Sequence, residues 1–417
     1  MRLTRLVDFG LWALLLLTVL RTTLLVRRRD TAEFDAVDNS ATIAIALIVG
    51  IVVLLMVHPR ARGALVRLQT SSAFYLLLYL ALAALSAFWS VIPEFTLFRA
   101  GEVIAVFGAL FVLMEGFDNW RNAERAMLGV LMVVTVLAFF QRVTTGGVSM
   151  EGLHTNVYTV TAGMGFLYTL AESLRADPRR KMMMRRWMVA FLLFAVVGTS
   201  AGSNIGIAVA MLILLPFLSQ SKVVLIPAGL ACVALAVVMG ASEQVVSTTL
   251  LSGRSIEEAE TLTGRMFLWQ GYWNAFLDSP LIGHGFAIVA RIGDQFGGLA
   301  TTNAHNGFIE AGAGLGLLGF GLLCYYCYRL VLETIAATRA RIIGGLGCLV
   351  AVVMMLVNNN SKSLLGGAYD PTMLGVFALL AFFHSYTLRA TREQAAQRRA
   401  ERAQSPEASA RPTPARP

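Results

Sequence analysis

Apolar residues run along this chain in long blocks rather than in the alternation of a strand or the narrow stripe of a soluble helix. The blocks fall at 9–26, 41–58, 73–91, 99–116, 126–141, 156–173, 187–199, 204–218, 223–241, 306–331, 342–357 and 371–388. A bilayer core of about 30 Å is crossed by about 20 helical residues, so the pattern predicts an all-α integral membrane protein with about twelve transmembrane helices. The seventh and eighth blocks are short for a crossing. Four regions follow: a bundle of nine spans over 1–241, a large polar loop over 242–304, three further spans over 305–388, and a basic tail over 389–417 that starts as a frayed helix and becomes disordered. The N-terminus carries Arg2 and Arg5 before a leucine-rich stretch without a small-x-small cleavage site, which reads as an uncleaved first helix.

Composition agrees with the pattern: 57% of the 417 residues are hydrophobic and 14% charged. Basic residues set orientation. With the N-terminus in the cytoplasm, Arg60, Arg62, Arg67, Arg121, Arg125, the group from Arg175 to Arg186, Lys222, Arg339, Arg341 and the tail all fall on the cytoplasmic side; Arg27, Arg28 and Arg29 fall outside, against the trend. Both termini are therefore expected in the cytoplasm. The net charge of +9 is dispersed over many short loops, which disfavours a nucleic-acid role. Cys324-Tyr325-Tyr326-Cys327 has redox or metal spacing, but it lies in an apolar helix, and packing is the better reading for it as for Cys232 and Cys348.

The polar loop has structure of its own. Ser255 followed by Glu258 reads as a capped turn. Arg265 to Ser279 reads as an amphipathic helix with Phe267, Leu268, Trp269, Tyr272, Trp273, Phe276 and Leu277 on one broad face, ended by Pro280. That face suits the membrane interface or packing on the bundle equally. Glycines at Gly283, Gly285, Gly297 and Gly298 mark tight turns before the chain re-enters at His305.

Two residues carry most of the candidate chemistry. His305 opens an apolar helix, and a neutral imidazole there can take a proton from a sugar hydroxyl; the alternative is a capping histidine. Arg265 offers a planar fork of donors matched to phosphate oxygens; the alternative is an interfacial arginine reaching toward headgroups. Arg99 with Glu102 reads first as a paired structural element, and Arg291 is a further cation able to reach phosphate. His154 and His284 read by default as turn packing. Glu33 and Asp35 form a weak candidate for a divalent metal. Few charges lie deep in the spans, which argues against an ion-coupled transporter.

Taken in order, Thr261-Leu262-Thr263-Gly264-Arg265, Trp269, Pro280-Leu281-Ile282-Gly283-His284-Gly285-Phe286 and His305-Asn306-Gly307 resemble the shared domain of the O-antigen ligase and polymerase superfamily. The ligase pattern of His-Asn, nine residues, then Gly-x-x-Gly is met by His305, Asn306, Gly316 and Gly319. Trp89-Ser90-Val91-Ile92-Pro93-Glu94 followed by Arg99 resembles the family's third-to-fourth connection, and His154-Thr155-Asn156 its sixth-span entry.

The resemblance implies a twelve-span, GT-C-like glycosyltransferase of the inner membrane with a large periplasmic loop. It implies an undecaprenyl-diphosphate-linked glycan as donor, a glycan or lipid A–core as acceptor, no cofactor and no metal. His305 would activate the acceptor hydroxyl and Arg265 would bind the diphosphate; Arg99, Arg291, Asn306 and His284 would line the substrate and diphosphate site. Membrane lipids and other polysaccharide assembly proteins are the further partners expected. One departure stands out: the turn Gly198-Thr199-Ser200-Ala201-Gly202-Ser203-Asn204 lacks the arginine that ligases tend to place between spans seven and eight. Leu262-Thr263-Gly264-Arg265 looks more like the exopolysaccharide polymerase branch, so polymerisation is the preferred expectation and ligation the second. A polyprenyl-glycan flippase and a metal-dependent transferase using Glu33 and Asp35 are the competing classes.

Overall fold

The computed structural model describes residues 2–24, 39–144, 156–197, 200–218, 265–297 and 304–404. Every regular element among them is helical: α1 (Arg2–Leu24), α2 (Asn39–Val57), α3 (Ala61–Leu68), α4 (Ala73–Leu85), α5 (Pro93–Met114), α6 (Trp120–Thr144), α7 (Asn156–Ser173), α8 (Pro178–Val197), α9 (Ala201–Leu218), α10 (Arg265–Asp278), α11 (Val289–Ile292), α12 (Gly307–Arg339), α13 (Gly345–Asn358), α14 (Pro371–Phe382) and α15 (Leu388–Gln404). The expected ninth span, 223–241, and the expected turn at Ser255 lie outside the described residues. Five of the described helices are long and apolar enough to cross a membrane, or six when α2 and α3, bent by 92°, count as one broken span. Ala73–Phe88, Gly202–Pro216 and Gly345–Asn358 are shorter apolar helices. Five to six such crossings, with the all-helical build, make this a multi-pass membrane protein.

Local chemistry sets several helix starts. Pro93 sits in the first turn of α5, where its missing N–H costs nothing, with Glu94 beside the positive end of the helix dipole. That start lies six residues before the apolar block at 99–116. Asp370 caps α14 by accepting from the Thr372 amide at 2.6 Å, with Pro371 between them. Pro59 lies in the α2–α3 break, and His58 Nε2 meets Asp8 there at 2.9 Å.

Inside the bundle, close packing and interhelical hydrogen bonds do the work that the hydrophobic effect does in water. Gly165 leaves the space that the Phe191 ring fills, because a β-carbon there would stand 2.6 Å from ring atoms. Thr135 and Thr161 share a 2.8 Å hydrogen bond between α6 and α7, and Thr159 and Ser203 share another between α7 and α9.

The two ends of the bundle differ. One gathers a buried network in which Arg180 pairs with Glu124 at 2.5 Å and Glu172 at 2.8 Å. Tyr168 donates to Glu124 there, and the Gly344 and Gly347 amides donate to Glu172. The other end carries a small second core made of Leu268, Tyr272 and Ala275 from α10, Ile288, Val289 and Ile292 around α11, and Ala304 and Ala313. The aromatic face expected on α10 divides accordingly. Leu268 and Tyr272 are buried on the bundle, while Trp273 and Leu277 are each 57% exposed and face outward with Leu281.

Candidate functional site

The site is built where the chain re-enters the bundle. His305 has a φ of +54°, the left-handed region that side chains with a β-carbon seldom occupy. It is held from both neighbours. The Ala304 amide donates to Glu310 Oε1 at 2.5 Å, and the Ala304 carbonyl accepts from Trp269 Nε1 at 2.9 Å. Asn306 is the helix cap, its Oδ1 accepting from the Phe308 and Ile309 amides at 3.0 and 3.2 Å. The Gly307 amide donates to the Asn359 carbonyl at 2.9 Å, in a contact so tight that a β-carbon on Gly307 would lie 1.7 Å from the Leu365 carbonyl oxygen. Capping thus falls to Asn306, and His305 projects from the turn just before the helix.

The Gly-x-x-Gly element has a different task. Gly316 breaks α12 with φ 64° and ψ −164°, a conformation open essentially to glycine alone. The break frees backbone groups that take up the 280–286 segment. Leu317 donates to the Pro280 carbonyl at 2.7 Å, and the Gly285 amide donates to the Gly314 carbonyl at 2.8 Å. The same segment is held from the α4–α5 connection, where Trp89 Nε1 donates to the Ile282 carbonyl at 3.2 Å and Ser86 accepts from the Phe286 amide at 2.9 Å. The motifs quoted from three separate parts of the sequence therefore meet in one platform at the break in α12.

The expected substrate-binding residues take up distinct places. His284 meets the Ala275 carbonyl through Nε2 at 2.8 Å and lies 4.9 Å from the Phe296 ring. Arg99 and Arg291 come together on Phe95, their guanidinium carbons 5.2 and 4.1 Å from its ring centre. Phe95 itself packs on the small core that contains Ala304. Glu102 joins Arg99 at 2.9 Å to Arg21 at 3.4 Å. Arg265 opens α10 one turn before Trp269. His154, Glu33, Asp35 and residues 198–199 lie outside the described residues. Asn156 and Ser200 are hydrogen-bonded to one another. Among the described residues no group of three or more His, Cys, Asp or Glu side chains is placed to hold a metal ion.

Several contributors escaped sequence reasoning. Glu310 is buried and also accepts from Ser363 Oγ at 2.8 Å. A small cavity beside it, about 10 Å³, is lined by Tyr272, Ala287, Val289, Ala290, Gly314 and Ala368. Lys362 pairs with Asp370 at 2.9 Å, and burial pushes the Tyr369 phenol well above its ordinary range, with the Glu102 and Asp370 charges adding to the rise. The readable signal for Glu310 was an acid one turn into an apolar helix, directly after the His-Asn pair.

Fold and site together define a multi-pass helical membrane protein with a conformationally held histidine next to a small core, on whose Phe95 two arginines gather. Residues 187–324 match the model of the family described as O-antigen ligase. That stretch runs from Trp187 in α8 to Cys324 in α12 and contains Arg265, Trp269, the 280–286 segment, His305 and Gly316. The family expected from the motifs, the O-antigen ligase and polymerase superfamily, is the family found there, and it supports glycan transfer of the ligase or polymerase type. No curated protein matches the chain.

Proposed function

We propose that this chain moves an undecaprenyl-diphosphate-linked glycan onto a sugar hydroxyl at the periplasmic face of the bacterial inner membrane, most simply in polysaccharide polymerisation. The observation that carries the reading is His305 in its left-handed turn, fixed by side chains of α10 and α12 beside the small core on which Phe95 carries Arg99 and Arg291. Strained backbone that is held so firmly is characteristic of functional positions. In this reading His305 takes the proton of the acceptor hydroxyl as its oxygen attacks the anomeric carbon. The bond from that carbon to the diphosphate oxygen breaks, and undecaprenyl diphosphate leaves. Arg265 neutralises the departing charge, and Arg99 and Arg291 add to the local positive field. Asn306 sets the helix start behind the reacting group. The full twelve-span topology, cytoplasmic termini and metal independence belong to the same proposal.

Ligation to lipid A–core is the second reading, favoured by the description of the matched family. The test is a profile of surface and lipid-linked glycans after deletion in the host, with wild-type and His305→Ala copies restored. Single repeats without long chains indicate a polymerase; long lipid-linked chains beside bare lipid A–core indicate a ligase. Normal transfer by the His305→Ala copy refutes the assigned role.

A further inference from the structure

Glu310 is not the cap of α12, a role that Asn306 already fills. It is 8% exposed, in a bundle where an ionisable group is costly unless its oxygens are satisfied. One oxygen, Oε1, accepts both from the Ala304 amide and from Ser363 Oγ. The other faces Gly367 so closely that a β-carbon there would lie 1.9 Å from it. The carboxylate therefore ties the residue before His305 to the 359–370 connection. That connection is itself fixed, because Asn359 Oδ1 accepts from the Leu364 and Leu365 amides at 2.9 and 2.8 Å. From the other side Trp269 holds the Ala304 carbonyl. The amide and carbonyl of Ala304 are thus both fixed by side chains, and the peptide that follows sets the φ of His305.

We propose that Glu310 is a positioning residue for His305, acting through the Ala304 amide, with Trp269 as its counterpart on the Ala304 carbonyl. The proposal rests on the reading of His305 as the proton-accepting group. Without Glu310 the turn relaxes toward ordinary backbone angles, and the imidazole leaves the direction from which it meets the acceptor hydroxyl. Glutamine keeps an acceptor oxygen at the same reach; alanine does not.

The test uses the full-length protein in detergent, treated with diethyl pyrocarbonate, with the extent of labelling at each histidine read by peptide mass. His58, whose side chain is fully buried against Asp8, reports on the fold. Glu310→Ala and Trp269→Phe are expected to change the His305 labelling rate at least threefold with His58 still protected, and Glu310→Gln to bring it back near wild type. Unchanged His305 labelling in both Glu310→Ala and Trp269→Phe overturns the proposal. Should His58 become labelled in Glu310→Ala, that variant has lost its fold, and Trp269→Phe with Ser363→Ala decides in its place. In the host, Glu310→Ala is expected to lose at least tenfold in long-chain glycan, with most of it recovered by Glu310→Gln. Loss of transfer with unchanged labelling also overturns the positioning role. Normal transfer by His305→Ala removes instead the underlying functional reading, and the labelling result still decides whether Glu310 holds the turn.

Discussion

Replacing Gly316 by alanine tests whether the break in α12 is what seats the 280–286 segment. At φ 64° and ψ −164° the residue lies where a β-carbon is strained, at about 1–3 kcal/mol. The added carbon would also stand 2.3 Å from the Leu281 carbonyl carbon and oxygen, which are backbone atoms with nowhere to rotate. Relief requires the segment to retreat, which gives up the bonds from Leu317 to Pro280 and from Leu318 to Leu281, about 0.5–1.5 kcal/mol each. Together these come to roughly 2–6 kcal/mol, a large share of the ~5–15 kcal/mol that holds a folded domain. Gly321→Ala is the control, in the same helix with nothing within 4 Å of its β-carbon, and is expected to be neutral or slightly stabilising. The assay is thermal unfolding of the purified protein in detergent, followed by tryptophan fluorescence, with limited proteolysis across 280–297. Gly316→Ala is expected to lower the midpoint by several degrees and to open that segment to protease first. A shift under about 2 °C, which in a chain of this length falls below the roughly 2 kcal/mol at the low end of the range, with protection unchanged, refutes the argument.

Asn306→Ala removes the cap of α12 and should cost about 0.5–2 kcal/mol, read as a lower unfolding midpoint, with Asp or Ser, whose side-chain oxygens can accept from the same amides, staying closer to wild type. Arg180→Ala leaves Glu124 and Glu172 buried without their partner and should destabilise by about 3–5 kcal/mol, measured as loss of membrane-inserted protein, with transfer falling only in proportion to the amount inserted. Thr161→Val breaks one interhelical hydrogen bond and should cost about 0.6 kcal/mol, a small shift in a detergent unfolding curve.

The apolar blocks were sufficient to forecast an all-helical membrane chain, because the need to satisfy every backbone group in lipid leaves helices as the simplest solution. Boundaries were less legible. Pro93 moves the start of α5 upstream of its apolar block, since the first turn of a helix tolerates polar residues at a membrane edge. The break at Gly316 could not be read from Gly-Leu-Leu-Gly, which continues a helix unless a partner strand of backbone competes for its hydrogen bonds; that partner, Pro280–Phe286, lies thirty-odd residues upstream. The two-sided fate of α10 was undecidable for the same reason, as aromatic residues satisfy lipid and protein surfaces alike. Arg180 was readable only as a topology signal, because its pairing with Glu124 and Glu172 joins three helices.

The motif residues divide by the atoms they spend. Trp89, Trp269, Gly283, Gly285, Asn306 and Gly316 direct their distinctive atoms, or their lack of a β-carbon, inward onto backbone of the platform. An indole that donates to a carbonyl inside the protein has no second donor for a sugar, and a glycine buried against another backbone offers a ligand nothing. Trp269 and Asn306 fix the turn that carries His305, and the others seat the 280–286 segment on α12. Selectivity for a particular glycan has to reside in other side chains. Motifs of this kind consequently mark a shared backbone geometry rather than a choice of ligand.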